Sequence, residues 1–319
     1  MNAIVTVIST IYSLLWGDLF TLPLPGGNSM GVSLLVLLLI PTGIYFTVRT
    51  RFLTIRLFPE MLRVTKEKRI SSSHKGAISG LQALVVSTAT RVGMGNMIGV
   101  VAAISAGGAG AVFWMWVSAA LGMMTAYAET SLGIRYRYRD PEGRWIGGPM
   151  GYLSRGLGMP GVSLLYGMFC LLASLGMGSM VQSNAIAQTI QFSTGTSPVF
   201  SAVIVTTLTC CVAVGGISRI AHVTERLIPW AAGIYIAFSL MVLLLCYRQI
   251  PVAFQEIFQC ALFPQAVVGG AGGYGISRAF RYGIARGVFS NEAGLGSLAG
   301  LHGATDDTTP EEQGMWAMF

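Results

Sequence analysis

Charge is scarce in this chain: Asp, Glu, Lys and Arg make up 10% of its 319 residues, against roughly 25% in soluble domains. So little charge cannot coat a water-soluble globule, and the 53% hydrophobic content includes several runs of membrane-spanning length. Histidine is rarer still, and His74, His222 and His302 are too scattered to indicate a metal site. The five cysteines, Cys170, Cys210, Cys211, Cys246 and Cys260, lie in or beside apolar segments without metal-ligand spacing. They read as small apolar packing residues, with no disulfide framework. The N-terminus has neither a basic n-region nor a small-residue cleavage site, so no removable signal peptide is expected. No nucleophile–base pair, metal cluster or phosphate-binding loop stands out, which argues against an enzyme. The net charge of +7 does not point to nucleic acid, because Lys and Arg cluster in a few loops. What is left is an all-α polytopic membrane protein.

Seven spans are expected, at about 30–48, 77–104, 111–133, 161–192, 198–216, 228–247 and 273–302, in a single transmembrane domain over 1–319. Residues 3–20 are apolar but short and read as an interfacial helix, with a shallow span as the alternative. The basic stretch Arg49 to Lys75, with Leu53, Ile55, Leu57, Met61 and Leu62, suggests an amphipathic element on the membrane surface. Residues 251–268 look like a second interfacial helix. Eight of the twenty Lys and Arg lie between Arg49 and Lys75, five between Arg135 and Arg155, and two at Arg219 and Arg226. With the N-terminus outside, all of these face the cytoplasm. Glu129, toward the far end of the third span, reads as an interface carboxylate near the arginines that follow, with a site residue as the alternative. Gln182 and Asn184 in the fourth span suit either ligand binding or interhelical glue.

The unusual stretch is Ser87 to Gly99, S-T-A-T-R-V-G-M-G-N-M-I-G, inside an apolar segment. A charge at bilayer depth costs about 2.5–3.5 kcal/mol on insertion scales, and each helical glycine about 1 kcal/mol. Two readings are open. One is a broken transmembrane helix whose freed backbone lines a ligand cavity; the other is a packing surface, since Gly95 to Gly99 is also a G-x-x-x-G contact. A second copy decides between them: Phe289-Ser-Asn-Glu-Ala-Gly294-Leu-Gly296-Ser, again polar groups before a G-x-G. Arg91 precedes the first glycine of its copy by two residues, as Glu292 does in the other. Paired Gly-interrupted helices point to the binding site of a secondary transporter. Five spans, two to six, precede the second copy, and an odd count makes the repeat inverted. A channel lined by the tandem G-x-G motifs is the alternative.

These motifs carry a family resemblance. Ala89 to Gly99, Gly107-Gly-Ala-Gly-Ala-Val-Phe-Trp-Met-Trp-Val117, Gly147-Gly-Pro149, Val181-Gln-Ser-Asn184 and Gly287 to Ser297 resemble the bacterial and archaeal alanine/glycine:cation symporters, in order from about residue 30 onward. The resemblance implies a LeuT-like inverted-repeat fold in the cytoplasmic (inner) membrane, importing alanine or glycine with sodium as coupling ion and no other cofactor. The family has about eleven spans, and Gln313 to Phe319 resembles the opening of the eighth. The chain is therefore expected to be a C-terminally truncated member, holding the first repeat and the start of the second. A nonfunctional fragment is the alternative to an active symporter.

With that resemblance, each motif residue takes an expected role. The half-helix starting near Gly95 and Asn96 points its N–H groups and positive dipole end at a substrate carboxylate, with Gly93 and Thr88 or Thr90 beside it. Carbonyls from Ala89 to Val92 suit sodium. Gln182 and the Phe289–Gly294 break complete the pocket. Phe289 closes the side-chain space, and Ser290 or Asn291 holds the amino group. Arg91 either bridges to the substrate carboxylate or, preferably, pairs with Glu292, because either charge alone is costly in low dielectric.

Overall fold

A short hydroxyl or proline signal opens many of the helices. In the computed structural model, which describes residues 2–24, 28–67, 79–91, 93–262, 272–306 and 308–318, helix α1 spans Asn2–Trp16. An antiparallel hairpin follows, β1 Phe20–Leu24 against β2 Asn28–Val32, with Phe20 opposite Val32. Its second strand occupies the first residues of the expected first span, so helix α2 (Leu34–Arg49) starts only after Ser33, whose side chain accepts from the Val36 N–H. Helices α3 (Leu53–Arg56) and α4 (Phe58–Glu67) form the amphipathic stretch.

Helix α5 (Gly80–Arg91) begins with a reciprocal capping box. The Ser79 N–H donates to Gln82 Oε1 at 3.0 Å, and the Gln82 N–H to Ser79 Oγ at 3.1 Å. Helices α6 (Met94–Gly107) and α7 (Gly110–Arg135) follow. A two-residue hairpin, β3 Tyr138–Arg139 and β4 Trp145–Ile146, is packed by the Arg137 and Arg139 guanidiniums over the Trp145 ring. After the short α8 (Pro149–Gly151) come α9 (Pro160–Ala173), a π-helical stretch Ser174–Met180, and α10 (Val181–Thr194). Next are α11 (Pro198–Ala213), α12 (Gly216–Leu245), α13 (Ile250–Leu262), α14 (Gly272–Asn291), α15 (Ser297–Gly303) and α16 (Pro310–Met318). Helix α12 begins well before the expected sixth span, taking in Arg219 and Arg226, since charged residues end a hydropathic run without ending a helix.

Among the described residues, four helical runs are long and apolar enough to cross a membrane: Gln82–Gly107, Gly110–Arg135, Pro160–Thr194 and Arg219–Leu245. Several hydroxyls on the apolar helices donate to carbonyls of their own helix, as Thr47 does to Gly43 at 2.7 Å and Thr207 to Val203 at 2.8 Å, which satisfies these groups without a partner from outside the helix. Cys170, Cys210, Cys211 and Cys246 are exposed, and Cys260 is half-buried. The exposed ones sit on helix faces whose apolar side chains are themselves exposed, such as Leu171 and Leu208.

The chain divides into two compact units. One comprises Met1–Arg56, Gly95–Thr125 and Ile236–Gly294; the other comprises Leu57–Met94, Ala126–Tyr235 and Leu295–Phe319. Two of the passages between them, Met94 to Gly95 and Gly294 to Leu295, fall within the two G-x-G motifs. In the first unit, Val32, Val36 and Ile284 form a core with Trp114 and Phe280 packed against it, the two rings edge-to-face at 4.7 Å. Helix α14 meets α7 through glycines. A Cβ on Gly283 would lie 2.5 Å from the Ala111 carbonyl oxygen, and one on Gly287 2.8 Å from Ser118 Cβ. That i, i+4 pair is the close helix contact, whereas a Cβ on Gly99 would meet nothing within 4 Å. Gly283 and Gly287 thus form a close G-x-x-x-G contact of this chain, one that Gly99 does not make. In the second unit, Ala83 and Ala221 pack with Val86, Leu301 and Ala304, and Gln82 Nε2 donates to Glu225 Oε2 at 3.1 Å.

Candidate functional site

Both motifs interrupt a helix, by different means. In the first, α5 ends at Arg91, Gly93 bends, and α6 starts at Met94; Val92, one of the expected sodium ligands, lies outside the described residues. In the second, α14 ends at Asn291, and three left-handed residues follow at alternate positions: Glu292 at φ 55°, Gly294 at 88° and Gly296 at 78°. Glycine takes that conformation freely; Glu292 holds it at a cost of about 1 kcal/mol or more.

In the first unit the structure joins the two motifs directly. Ser290 Oγ, in the last turn of α14, donates to Asn96 Oδ1 in the first turn of α6. Gly95 occupies the same first turn, where helix geometry leaves N–H groups without intrahelical acceptors. Phe289 is partly buried, with the Arg286 guanidinium 6.0 Å from its ring centre. Asn291 looks a different way from Ser290. It lines a cavity of about 20 Å³ with Leu39, Ser118, Gly122, Thr125 and Ala293, and its Nδ2 is buried there without a hydrogen-bond partner. Ile40, Leu121 and Val288 complete its largely apolar lining, against which the Asn291 amide is set. A Cβ on Gly294 would lie 2.9 Å from Leu39 Cδ2.

In the second unit, the Thr88 hydroxyl donates to the Leu84 carbonyl at 2.8 Å and the Thr90 hydroxyl to the Ser87 carbonyl at 2.9 Å. With their protons committed to these carbonyls, the two hydroxyls act toward a third group as acceptors rather than donors, which departs from the expected contact with a substrate carboxylate. Ala89 sits between them on α5, whose end leaves its last carbonyls without intrahelical donors. Gly93 faces the fourth span: a Cβ on it would lie 3.6 Å from Gln182 Nε2. Arg91 Nη2 donates to the Ala317 carbonyl at 2.7 Å, tying the first motif to α16. His302, fully buried, shares a 2.6 Å bond between Nδ1 and Gln313 Oε1.

Glu129 is the residue that the sequence reading placed wrongly. Its helix runs on to Arg135, which leaves it nearly two turns inside the helix end, 7% exposed, with Oε2 accepting the Gly296 N–H at 3.1 Å. Tyr166 was not singled out at all; its hydroxyl donates to the Leu295 carbonyl at 3.0 Å. The available signals were a carboxylate within an apolar span, which is a functional candidate by default, and a phenol there in need of a partner. Burial, and secondarily the Glu129 charge, push the Tyr152 phenol up to about 12. Among the described residues, no three His, Cys, Asp or Glu side chains converge as a metal site would require.

The chain matches the family model described as "Sodium:alanine symporter family" over residues 26–319. It is 38% identical over 314 residues to an uncharacterized transporter of Haemophilus influenzae, covering 98% of this chain and 65% of that protein. It is 35% identical over 318 residues to the sodium/alanine symporter AgcS of Methanococcus maripaludis, with 98% and 66% covered. It is also 35% identical over 286 residues to "Probable sodium/glutamine symporter GlnT" of Bacillus subtilis, with 90% and 59% covered. The chain thus spans less than two thirds of the length of these curated relatives.

Proposed function

Because this chain belongs to the sodium:alanine symporter family, a family of transporters and not of enzymes, we propose that it serves sodium-coupled import of alanine or glycine by alternating access. The observation that carries this reading is the Ser290–Asn96 hydrogen bond, between residues 194 positions apart in the two G-x-G motifs. Two interrupted helices whose polar residues meet are what a LeuT-like inverted repeat requires of its ligand-binding region. In this reading the N–H groups near Gly95 take the substrate carboxylate, and Gln182 lies by the first break. Ser290 or Asn291 serves the amino group, and Phe289 limits the side chain to a small one. Carbonyls at the end of α5, with the Thr88 and Thr90 oxygens, take sodium. The clusters of Lys and Arg support an N-terminus on the outer side of the cytoplasmic membrane.

The test is uptake of radiolabelled alanine into vesicles containing the chain, with and without an inward sodium gradient. Gradient-driven accumulation, competed by glycine and not by glutamine, is the expected result. Accumulation equal in sodium and choline media would overturn sodium coupling. Competition by glutamine alone would move the substrate toward the larger side chain in the name of the Bacillus relative. Gly93→Ala gives a sharper check on the first break. Its methyl would sit at ordinary contact distance from Gln182 Nε2, 3.6 Å, and from the Thr90 carbonyl oxygen, 3.7 Å, so the melting temperature should stay near wild type, while the space it fills beside the Gln182 amide lowers uptake several-fold. Unchanged uptake would remove Gly93 and Gln182 from the site.

A further inference from the structure

Breaking a helix within a membrane strands peptide groups, and each one left unsatisfied in hydrocarbon costs several kcal/mol. At the second break one peptide group is held at both ends by side chains from two other helices. The Leu295 carbonyl accepts from the Tyr166 hydroxyl of α9 at 3.0 Å, and the N–H on the other side of the same bond, that of Gly296, donates to Glu129 of α7 at 3.1 Å. The loop motif Gly147-Gly-Pro149 closes the remaining face. A Cβ on Gly296 would lie 2.3 Å from Pro149 Cγ, one on Gly148 2.9 Å from Gly300 Cα, and one on Gly147 2.7 Å from Gly303 Cα. All of these residues belong to the same unit.

We propose that Glu129 and Tyr166 act together as positioning residues, a clamp on the Leu295–Gly296 peptide that fixes where the second broken helix resumes. A buried side-chain oxygen is used because the N–H of a left-handed glycine has no helical acceptor of its own. The phenol supplies the matching donor, and its ring, with Pro149, walls off the Cα of Gly296. The consequence for transport rests on the symport reading: the clamp holds the Phe289–Gly294 segment to one path, so loosening it slows turnover rather than removing substrate contacts.

Hydrogen–deuterium exchange on the purified chain in lipid nanodiscs tests the clamp without requiring transport. Glu129→Ala should speed exchange of the Gly296 amide roughly tenfold, while Glu129→Gln, which keeps an acceptor oxygen, should stay within a few-fold of wild type. Tyr166→Phe should speed the same amide, by less. Should Glu129→Ala fail to fold, the contrast between Tyr166→Phe and Glu129→Gln decides. Protection unchanged in Tyr166→Phe, or lost equally in Glu129→Gln and Glu129→Ala, overturns the clamp. In the uptake assay, Tyr166→Phe should lower the maximal rate with KM nearly unchanged. If the wild-type chain accumulates no alanine, the symport reading fails while the exchange data still decide the clamp.

Discussion

Gly296→Ala should lower the stability of the purified chain by about 2–5 kcal/mol, the sum of a left-handed backbone penalty of about 1–2 and an overpacking cost of about 1–3. Both terms come from the geometry. Gly296 sits at φ 78°, and its added methyl would lie 2.3 Å from Pro149 Cγ and 2.6 Å from the Tyr166 hydroxyl oxygen. Neither neighbour can yield cheaply. Pro149 is ring-locked in the first turn of α8, and Tyr166 is tethered to the Leu295 carbonyl. Thermal unfolding followed by tryptophan fluorescence should show a midpoint lower by about 5–10 °C, or no monodisperse protein at all. A midpoint within error of wild type would mean that the close approach of α8 and α9 to the break is wrong.

The second large effect is expected at Asn96. Asn96→Leu keeps the side-chain volume but removes the oxygen that accepts from Ser290, and a polar group deprived of its partner costs about 1–3 kcal/mol. Under the symport reading, sodium-driven alanine uptake should fall about 10- to 100-fold, with the midpoint of thermal unfolding moving by no more than a few degrees. Ser290→Ala should fall less, since it deletes a hydroxyl and leaves the amide in place. The double variant should be little worse than Asn96→Leu alone, because directly bonded residues are not additive. Strict additivity, or full uptake by Asn96→Leu, would separate the two residues and withdraw the observation on which the functional proposal stands.

What could be read from the sequence tracks how local its cause is. Glycine and polar residues at bilayer depth announce a broken helix within a dozen positions, so both interruptions, at Gly93 and at Glu292 to Gly296, were legible. So was the importance of Asn96 and Ser290, although nothing in their own segments says that they meet. The hairpin Phe20–Val32 was not: its prolines and glycines read as a stop, and its short strands lack a clear period of two. Helix α12 starts before its hydropathy does, because hydropathy reports burial in lipid, not helicity. Glu129 was misplaced for the deepest reason. Its partner is 167 residues away, and beside five arginines a carboxylate looks like one more loop charge. The split roles of Ser290 and Asn291 follow from helical rotation, about 100° per residue, which no inspection of adjacent letters assigns to a particular neighbour.

A clamp that grips a peptide group reads no side chain. Leu295 contributes only its carbonyl to the hold of Tyr166, and its own side chain is 40% exposed. The position should therefore be nearly silent to substitution, accepting most residues other than proline, while Gly294 and Gly296 on either side tolerate almost nothing. A saturation library scored for folded protein would print that as a single open column between two closed ones. In this stretch, mutational tolerance would map the hydrogen bonds of the main chain rather than the identity of the amino acids along it.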